Sequence, residues 1–134
     1  VIGTRAMWSI AALLVACGGD GDPPVCDDAG LPSACESAPV PTYEELYRDV
    51  LRPTCGRDGP SCHGEGSRMT LSFVDEAASR DALLERYVTP GSLACSELFR
   101  RVTSDDPLFR MPPAEPLPEA ARCAIARWIE ASTP

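Results

Sequence analysis

Tyr43, Leu46, Tyr47, Val50 and Leu51 recur at the spacing of one apolar face of an α-helix. Thr42 with Glu45 three residues later reads as a capping box, and Pro53 supplies the stop. The stretch from Cys55 to Gly66 breaks this pattern with glycines, Pro60, Cys55, Cys62 and His63, so it reads as a loop whose composition suits a site more than a core. Leu71 and Phe73 follow, and then a helical segment over 75–87 containing Ala77, Ala78, Leu83 and Leu84. Pro90-Gly91 marks a turn, and Ser92 is the expected cap of a helix through Val102, with Leu98, Phe99 and Val102 inward. A proline-bounded loop, Arg110-Met111-Pro112-Pro113, separates it from a last helix entered at Pro118, with Ala121, Ala124, Ile125, Trp128 and Ile129 as its stripe. The pattern predicts an all-α domain of about four short helices, with no internal repeat.

Upstream of Thr42 the pattern is different. Arg5 precedes the apolar run Ala6 to Ala16, long enough for the core of an export signal but short of the roughly 20 residues that span a bilayer. The run ends in Leu14-Val15-Ala16-Cys17-Gly18-Gly19, which resembles a bacterial lipobox and makes Cys17 the expected lipidated residue. Two acyl chains on one cysteine hold a protein stably at a membrane. From Gly18 to Pro41 there are four Gly, five Pro, five acidic residues and no Arg, the composition of a tether. The expected organisation is a lipoprotein signal peptide over 1–16, lipidated Cys17 and a flexible tether over 17–41, and a folded domain over 42–134, placed at the cell envelope on the periplasmic side or cell surface.

Charge and composition narrow the function. A net charge of -8 with 12 basic side chains leaves little material for a phosphate-neutralising surface, which argues against nucleic-acid binding. Seven cysteines in 134 residues point to an oxidising compartment. A single histidine allows no argument for a Ser/His/Asp triad, and nothing in the sequence suggests a hydrolase; an electron carrier or a binding module is the expected class.

Taken in order, Tyr43-Glu44-Glu45-Leu46 through Leu51, Cys62-His63-Gly64, Thr89-Pro90-Gly91-Ser92, Ser96 to Val102, Arg110-Met111-Pro112-Pro113 and Ala124 to Ala131 resemble small monohaem cytochromes c, in particular the cytochrome c-like domains of planctomycete and myxobacterial exported proteins. The resemblance covers roughly residues 42–133. It implies a covalently attached haem c, with His63 as proximal and Met111 as distal iron ligand, Cys62 and Cys55 as attachment sites, and the first and last helices crossing beside the haem. A histidine and a thioether leave no open coordination position, so the implied function is electron transfer with a redox protein partner. Leu71, Phe73, Leu84, Leu93, Leu98 and Phe99 are the candidate apolar walls, and Met69 is the substitute ligand should Met111 serve only to fill the core.

The chain departs from the family's Cys-x-x-Cys-His pattern, because six residues, Gly56 to Ser61, separate Cys55 from Cys62. Such a loop lets both sulfurs reach a haem only if it bulges, and equally lets them close a disulfide. With Cys17 lipidated, pairing sequence neighbours gives Cys26 with Cys35, Cys55 with Cys62 and Cys95 with Cys123, the count of a haem-free, disulfide-stabilised binding or structural module of the same fold. Two thioethers at Cys55 and Cys62 leave an even four instead. A zinc site from Cys55, Cys62 and His63 lacks an evident fourth ligand.

Acylation of Cys17 is expected to appear as a diacylated cysteine at the mature amino terminus by mass spectrometry. A Cys17→Ser chain that is still processed and membrane-bound is the contrary outcome.

Overall fold

The computed structural model describes Cys26 and residues 30–132. The expectations for residues 1–25, among them the signal peptide and the lipidated Cys17, lie outside the described residues. Among the described residues the fold is all-α and contains no strand, and no helix is long and apolar enough to cross a membrane.

Helix α1, Tyr43–Leu46, begins with the expected capping box: the Glu45 amide donates to Thr42 Oγ1 at 3.2 Å, and the Thr42 amide donates to the Glu45 carboxylate at 2.8 Å. The Thr42 amide and, at 3.1 Å, the Thr42 hydroxyl both donate to the Glu45 carboxylate and hold it below the usual carboxylate range. The rod does not run on as plain α-helix. It widens into a π-helical turn, Tyr47–Leu51, before α2, Arg52–Thr54. Pro53 has no amide hydrogen to give Asp49, and its ring crowds that carbonyl, so the ladder loosens in the turn just ahead of it. The Thr54 hydroxyl donates to the Val50 carbonyl in the same region, and the rod ends at Cys55.

Helix α3, Glu76–Arg86, is capped by Asp75, whose carboxylate accepts the Ala78 amide at 2.8 Å. Its inward side is set by two residues, one of them polar. Ala77 and Ala78 are exposed, whereas Ser79 and Leu83 are fully buried. Ser79 is tolerated in the core because its polar atom is satisfied: the hydroxyl donates to the Glu76 carbonyl at 2.7 Å and accepts from the Tyr43 hydroxyl at 2.6 Å. Burial pushes the Tyr43 phenol up to about 12.

Helix α4 spans Glu97–Thr103 and is shorter than expected. Ser92 does not cap it. Ser92 accepts the Cys95 amide within the turn that follows Gly91, and the buried Ser96 hydroxyl accepts the Thr89 amide and donates to the Ser92 carbonyl. The turn is thus built around one internal hydroxyl, and the helix begins after it. Helix α5, Glu119–Ala131, carries the expected stripe: Ile125, Trp128 and Ile129 are buried. The first and last helices meet where the Tyr43 ring packs on Trp128 with centroids 5.3 Å apart. Leu46, Leu51, Phe73, Leu83, Val102, Ile125 and Ile129, all nearly inaccessible, complete one core.

Pairing of neighbouring cysteines is overturned. Cys26 is bonded to Cys95 and Cys35 to Cys123, with Cα atoms 5.2 and 4.9 Å apart, while Cys55 and Cys62 are free thiols. The reason is that residues 30–41 are laid back over the domain. A 3₁₀ turn, Ser33–Cys35, places the buried Cys35 against the middle of α5, and Arg127 of α5 donates to the Ala38 carbonyl at 3.1 Å. Residues 30–41, expected as tether, are in this way attached to the helices rather than preceding them.

The Cys35–Cys123 bond closes a separation of 88 residues. A loop of that length is worth about 4.5 kcal/mol in the chain-entropy description, less where the second disulfide already restrains it. Non-reducing peptide mapping is expected to recover Cys26–Cys95 and Cys35–Cys123. A Cys35→Ser/Cys123→Ser double variant is expected to lose about 3 kcal/mol or more in denaturant unfolding.

Candidate functional site

The loop after α2 is built on two buried glycines. A Cβ on Gly56 would lie 2.9 Å from both the Arg52 carbonyl oxygen and the Phe73 Cβ, and one on Gly64 would collide with the Arg57 backbone. These close approaches let the loop fold onto itself. The His63 amide donates to the Cys55 carbonyl at 3.0 Å, the Gly64 amide to the Arg57 carbonyl at 2.9 Å and the Gly59 amide to the Glu65 carbonyl at 2.8 Å. The six residues between Cys55 and Cys62 are therefore looped out, and the two ends of the loop lie side by side.

His63 is held from three directions. Besides its own amide bond, its carbonyl accepts the Phe73 amide at 2.6 Å, and its Nδ1 lies 2.8 Å from the Leu71 carbonyl oxygen. A carbonyl can only accept, so Nδ1 carries the hydrogen, and in the neutral ring the lone pair is on Nε2. This is the arrangement in which an imidazole is oriented as a metal ligand by its second nitrogen. The Phe73 ring stands edge-on to it, centroids 5.8 Å apart.

Cys55, Cys62, His63 and Met111 all line one cavity of 280 Å³, together with Met69. Its apolar wall comes from Leu71, Phe73, Tyr87, Leu98 and Val102. Of the walls expected from sequence, Leu71, Phe73 and Leu98 are in place. Leu93 is buried elsewhere in the core, and Leu84 and Phe99 pack only against the core's edge. Helix geometry explains the exchange: with α4 starting at Glu97, Leu98 and Val102 fall one turn apart on the cavity side. Tyr87, Val102, Glu97 and Arg101 were not singled out as site residues. The Glu97 and Arg101 spacing, an i,i+4 charge pair, was the available signal.

Met111 reaches the cavity from the proline-bounded loop 104–116. Its amide donates to the Arg101 carbonyl at 3.0 Å. Met69 lines the same space from the opposite loop and is 44% exposed. Cys55 is half-buried, and its desolvation pushes the thiol above its ordinary value, with the neighbouring Cys62 adding to the shift and a Thr54 contact opposing it. Among the described residues no cluster of three His, Cys, Asp or Glu side chains is close enough to hold a metal ion, so the zinc arrangement of Cys55, Cys62 and His63 is not formed. A second cleft, bounded by Thr42, Arg80 and Trp128, contains neither thiol nor imidazole.

The chemistry of the donor set fits a covalently held tetrapyrrole: two free thiols for thioether formation, an imidazole with its second nitrogen engaged, and a thioether, around a space walled mainly by apolar side chains. In chain produced without haem maturation proteins, labelling under non-reducing conditions is expected to modify Cys55 and Cys62 and to spare Cys26, Cys35, Cys95 and Cys123. Alkylation of Cys55 is expected to be slow at pH 7 and to accelerate as the pH rises past the ordinary thiol range, because its thiolate is disfavoured by burial. Mass spectrometry of the labelled peptides gives both results.

Residues 61–115 match the family model described as Planctomycete cytochrome C. The matched span holds Cys62, His63 and Met111 and begins after Cys55. Comparison with curated proteins and with solved structures gives no match. The all-α fold, with the match over the end of the site loop, α3, α4 and the Met111 loop, supports a cytochrome c-like domain over residues 61–115 of this chain.

Proposed function

We propose that this chain is a membrane-tethered electron carrier that holds haem c in the 280 Å³ cavity. One observation carries the reading: both free thiols, the only histidine and Met111 line a single, mainly apolar cavity although they come from two separate loops. In this reading Cys62 and Cys55 supply the sulfurs for attachment, His63 the proximal ligand and Met111 the distal one.

When bound, the haem supplies a one-electron couple at its iron. The chain's own residues do the rest. The Leu71 carbonyl, by accepting from Nδ1, fixes the ring of His63 and raises the basicity of Nε2. Leu71, Phe73, Leu98 and Val102 keep water from the site, which favours the less charged state of the group they surround. Met111 contributes a neutral, polarisable sulfur on a loop that Pro107, Pro112 and Pro113 stiffen. The spacing of Cys55 and Cys62 is compatible with attachment because the intervening residues are looped out by hydrogen bonds across the loop. Cys17 would tether this domain at the envelope, where a protein redox partner can reach it.

The free state of Cys55 and Cys62 disfavours the haem-free, three-disulfide module, which requires these two sulfurs to be bonded to each other. Expression with the cytochrome c maturation machinery, followed by haem staining of the denatured protein, tests the proposal. Stain is expected in the wild type and absent in Cys62→Ser. His63→Ala is expected to lose the proximal ligand, and Met111→Ala to lower the reduction potential, since the thioether favours ferrous iron. No covalent haem, with Cys55 mapped to Cys62 as a disulfide, would refute it.

A further inference from the structure

The loop 104–116 carries Met111, and although prolines stiffen it, few bonds fix where it sits against the helices. Its internal bonds are all short-range: the Asp106 carbonyl accepts the Phe109 and Arg110 amides, the Asp106 carboxylate accepts the Leu108 amide, Ser104 Oγ accepts the Asp106 amide at 3.1 Å, and the Arg110 guanidinium donates to the Pro113 carbonyl at 3.2 Å. Leu108, at the tip, is 94% exposed. Among the described residues, two hydrogen bonds join this loop to the helices, and both end on Arg101. The Arg101 carbonyl accepts the Met111 amide at 3.0 Å, and the Arg101 guanidinium donates to the Phe109 carbonyl at 3.4 Å.

The same guanidinium lies over the Phe109 ring, 4.6 Å from its centroid, with Arg100 a further cation at 5.6 Å. Glu97, one turn earlier on α4, fixes it there: Arg101 Nε donates to the Glu97 carboxylate at 2.7 Å, and Arg100 approaches that carboxylate at 3.5 Å. An isolated ion pair this exposed would contribute little. Here the planar fork is used on three sides at once, by a carboxylate, a carbonyl and an aromatic face, which a lysine could not reproduce.

We propose that Arg101, oriented by Glu97 and seated on Phe109, is the positioning residue that holds Met111 at the cavity. This rests on the reading of Met111 as the cavity's distal donor, and deepens it. Arg101 clamps the residue two before Met111 with its side chain and Met111 itself with its backbone. The register of the loop against α4 is thereby set on both sides of Arg110. Without the clamp the Met111–Arg101 backbone bond is the loop's one remaining hydrogen bond to the helices among the described residues, and the stiff loop shifts as a unit away from the cavity.

The test is made on the full-length chain produced without haem maturation proteins, so that its outcome is independent of haem attachment. Dilute hydrogen peroxide is applied, and sulfoxide formation at Met111 and Met69 is followed by peptide mass spectrometry. Met69 lines the same cavity from the other loop and serves as the internal reference. Arg101→Gln is expected to raise the Met111 rate about three- to fivefold, the scale of one lost cation–π contact, with the Met69 rate unchanged. Arg101→Lys should fall between the two, and Phe109→Leu should match Arg101→Gln, which keeps the test decisive if that variant folds poorly. An unchanged Met111 rate in folded Phe109→Leu, or equal increases at Met111 and Met69, would overturn the proposal. A haem stain that fails while Met111 alone is released would discard the electron-carrier reading and leave the clamp standing.

Discussion

The site depends on how His63 is pinned. Its amide is spent on Cys55, its carbonyl on Phe73 and its Nδ1 on Leu71, so one residue ties the end of α2 to the chain that leads into α3. Remove those bonds and the loop has no reason to bring Cys62 and Cys55 to one cavity, because six intervening residues rich in Gly and Pro favour no particular closure. Gly56 and Gly64 are the steric condition for this arrangement: a side chain at either position would push the loop off Phe73 or off its own backbone.

The cavity's other side follows from α4. Its start at Glu97, set by the buried Ser96 hydroxyl in the preceding turn, decides that Leu98 and Val102 become wall and that Glu97 and Arg101 fall at the rim. Arg101 then connects that wall to the Met111 loop. The loops that bear His63 and Met111 are thus each held by a different physical device, one by backbone hydrogen bonds around tight glycines and the other by a charged, aromatic clamp. Both devices are local, and both are anchored to a core closed where Tyr43 meets Trp128 and Ser79.

The disulfides serve a different purpose from the one neighbouring spacings suggest. By joining Cys26 to Cys95 and Cys35 to Cys123, they fasten the segment before α1 to the turn before α4 and to the middle of α5. The cavity side of the molecule keeps its two cysteines free. A domain whose structural bonds and cavity thiols are separated in this way can be oxidised at four positions without consuming Cys55 and Cys62.

Much was legible in the linear pattern. The capping box at Thr42, the apolar faces of the first and last helices and the all-α class rest on periodicity and on capping chemistry, which are local properties, whereas the roles suggested for Cys55, Cys62, His63 and Met111 came only through the resemblance to a family. Helix ends were less legible. The π-turn before Pro53 and the start of α4 depend on a single proline's strain and on one buried hydroxyl, neither of which leaves a periodic trace. The disulfide pairing, the packing of 30–41 onto α5, the inward turn of Ser79 and the meeting of Arg101 with Phe109 and Met111 were decided only by tertiary structure. Each joins residues far apart in sequence or buries a polar side chain that hydrophobic periodicity does not mark. Which groups meet then depends on how the helices cross and which polar atoms find partners in the core, and spacing along the chain carries no record of either.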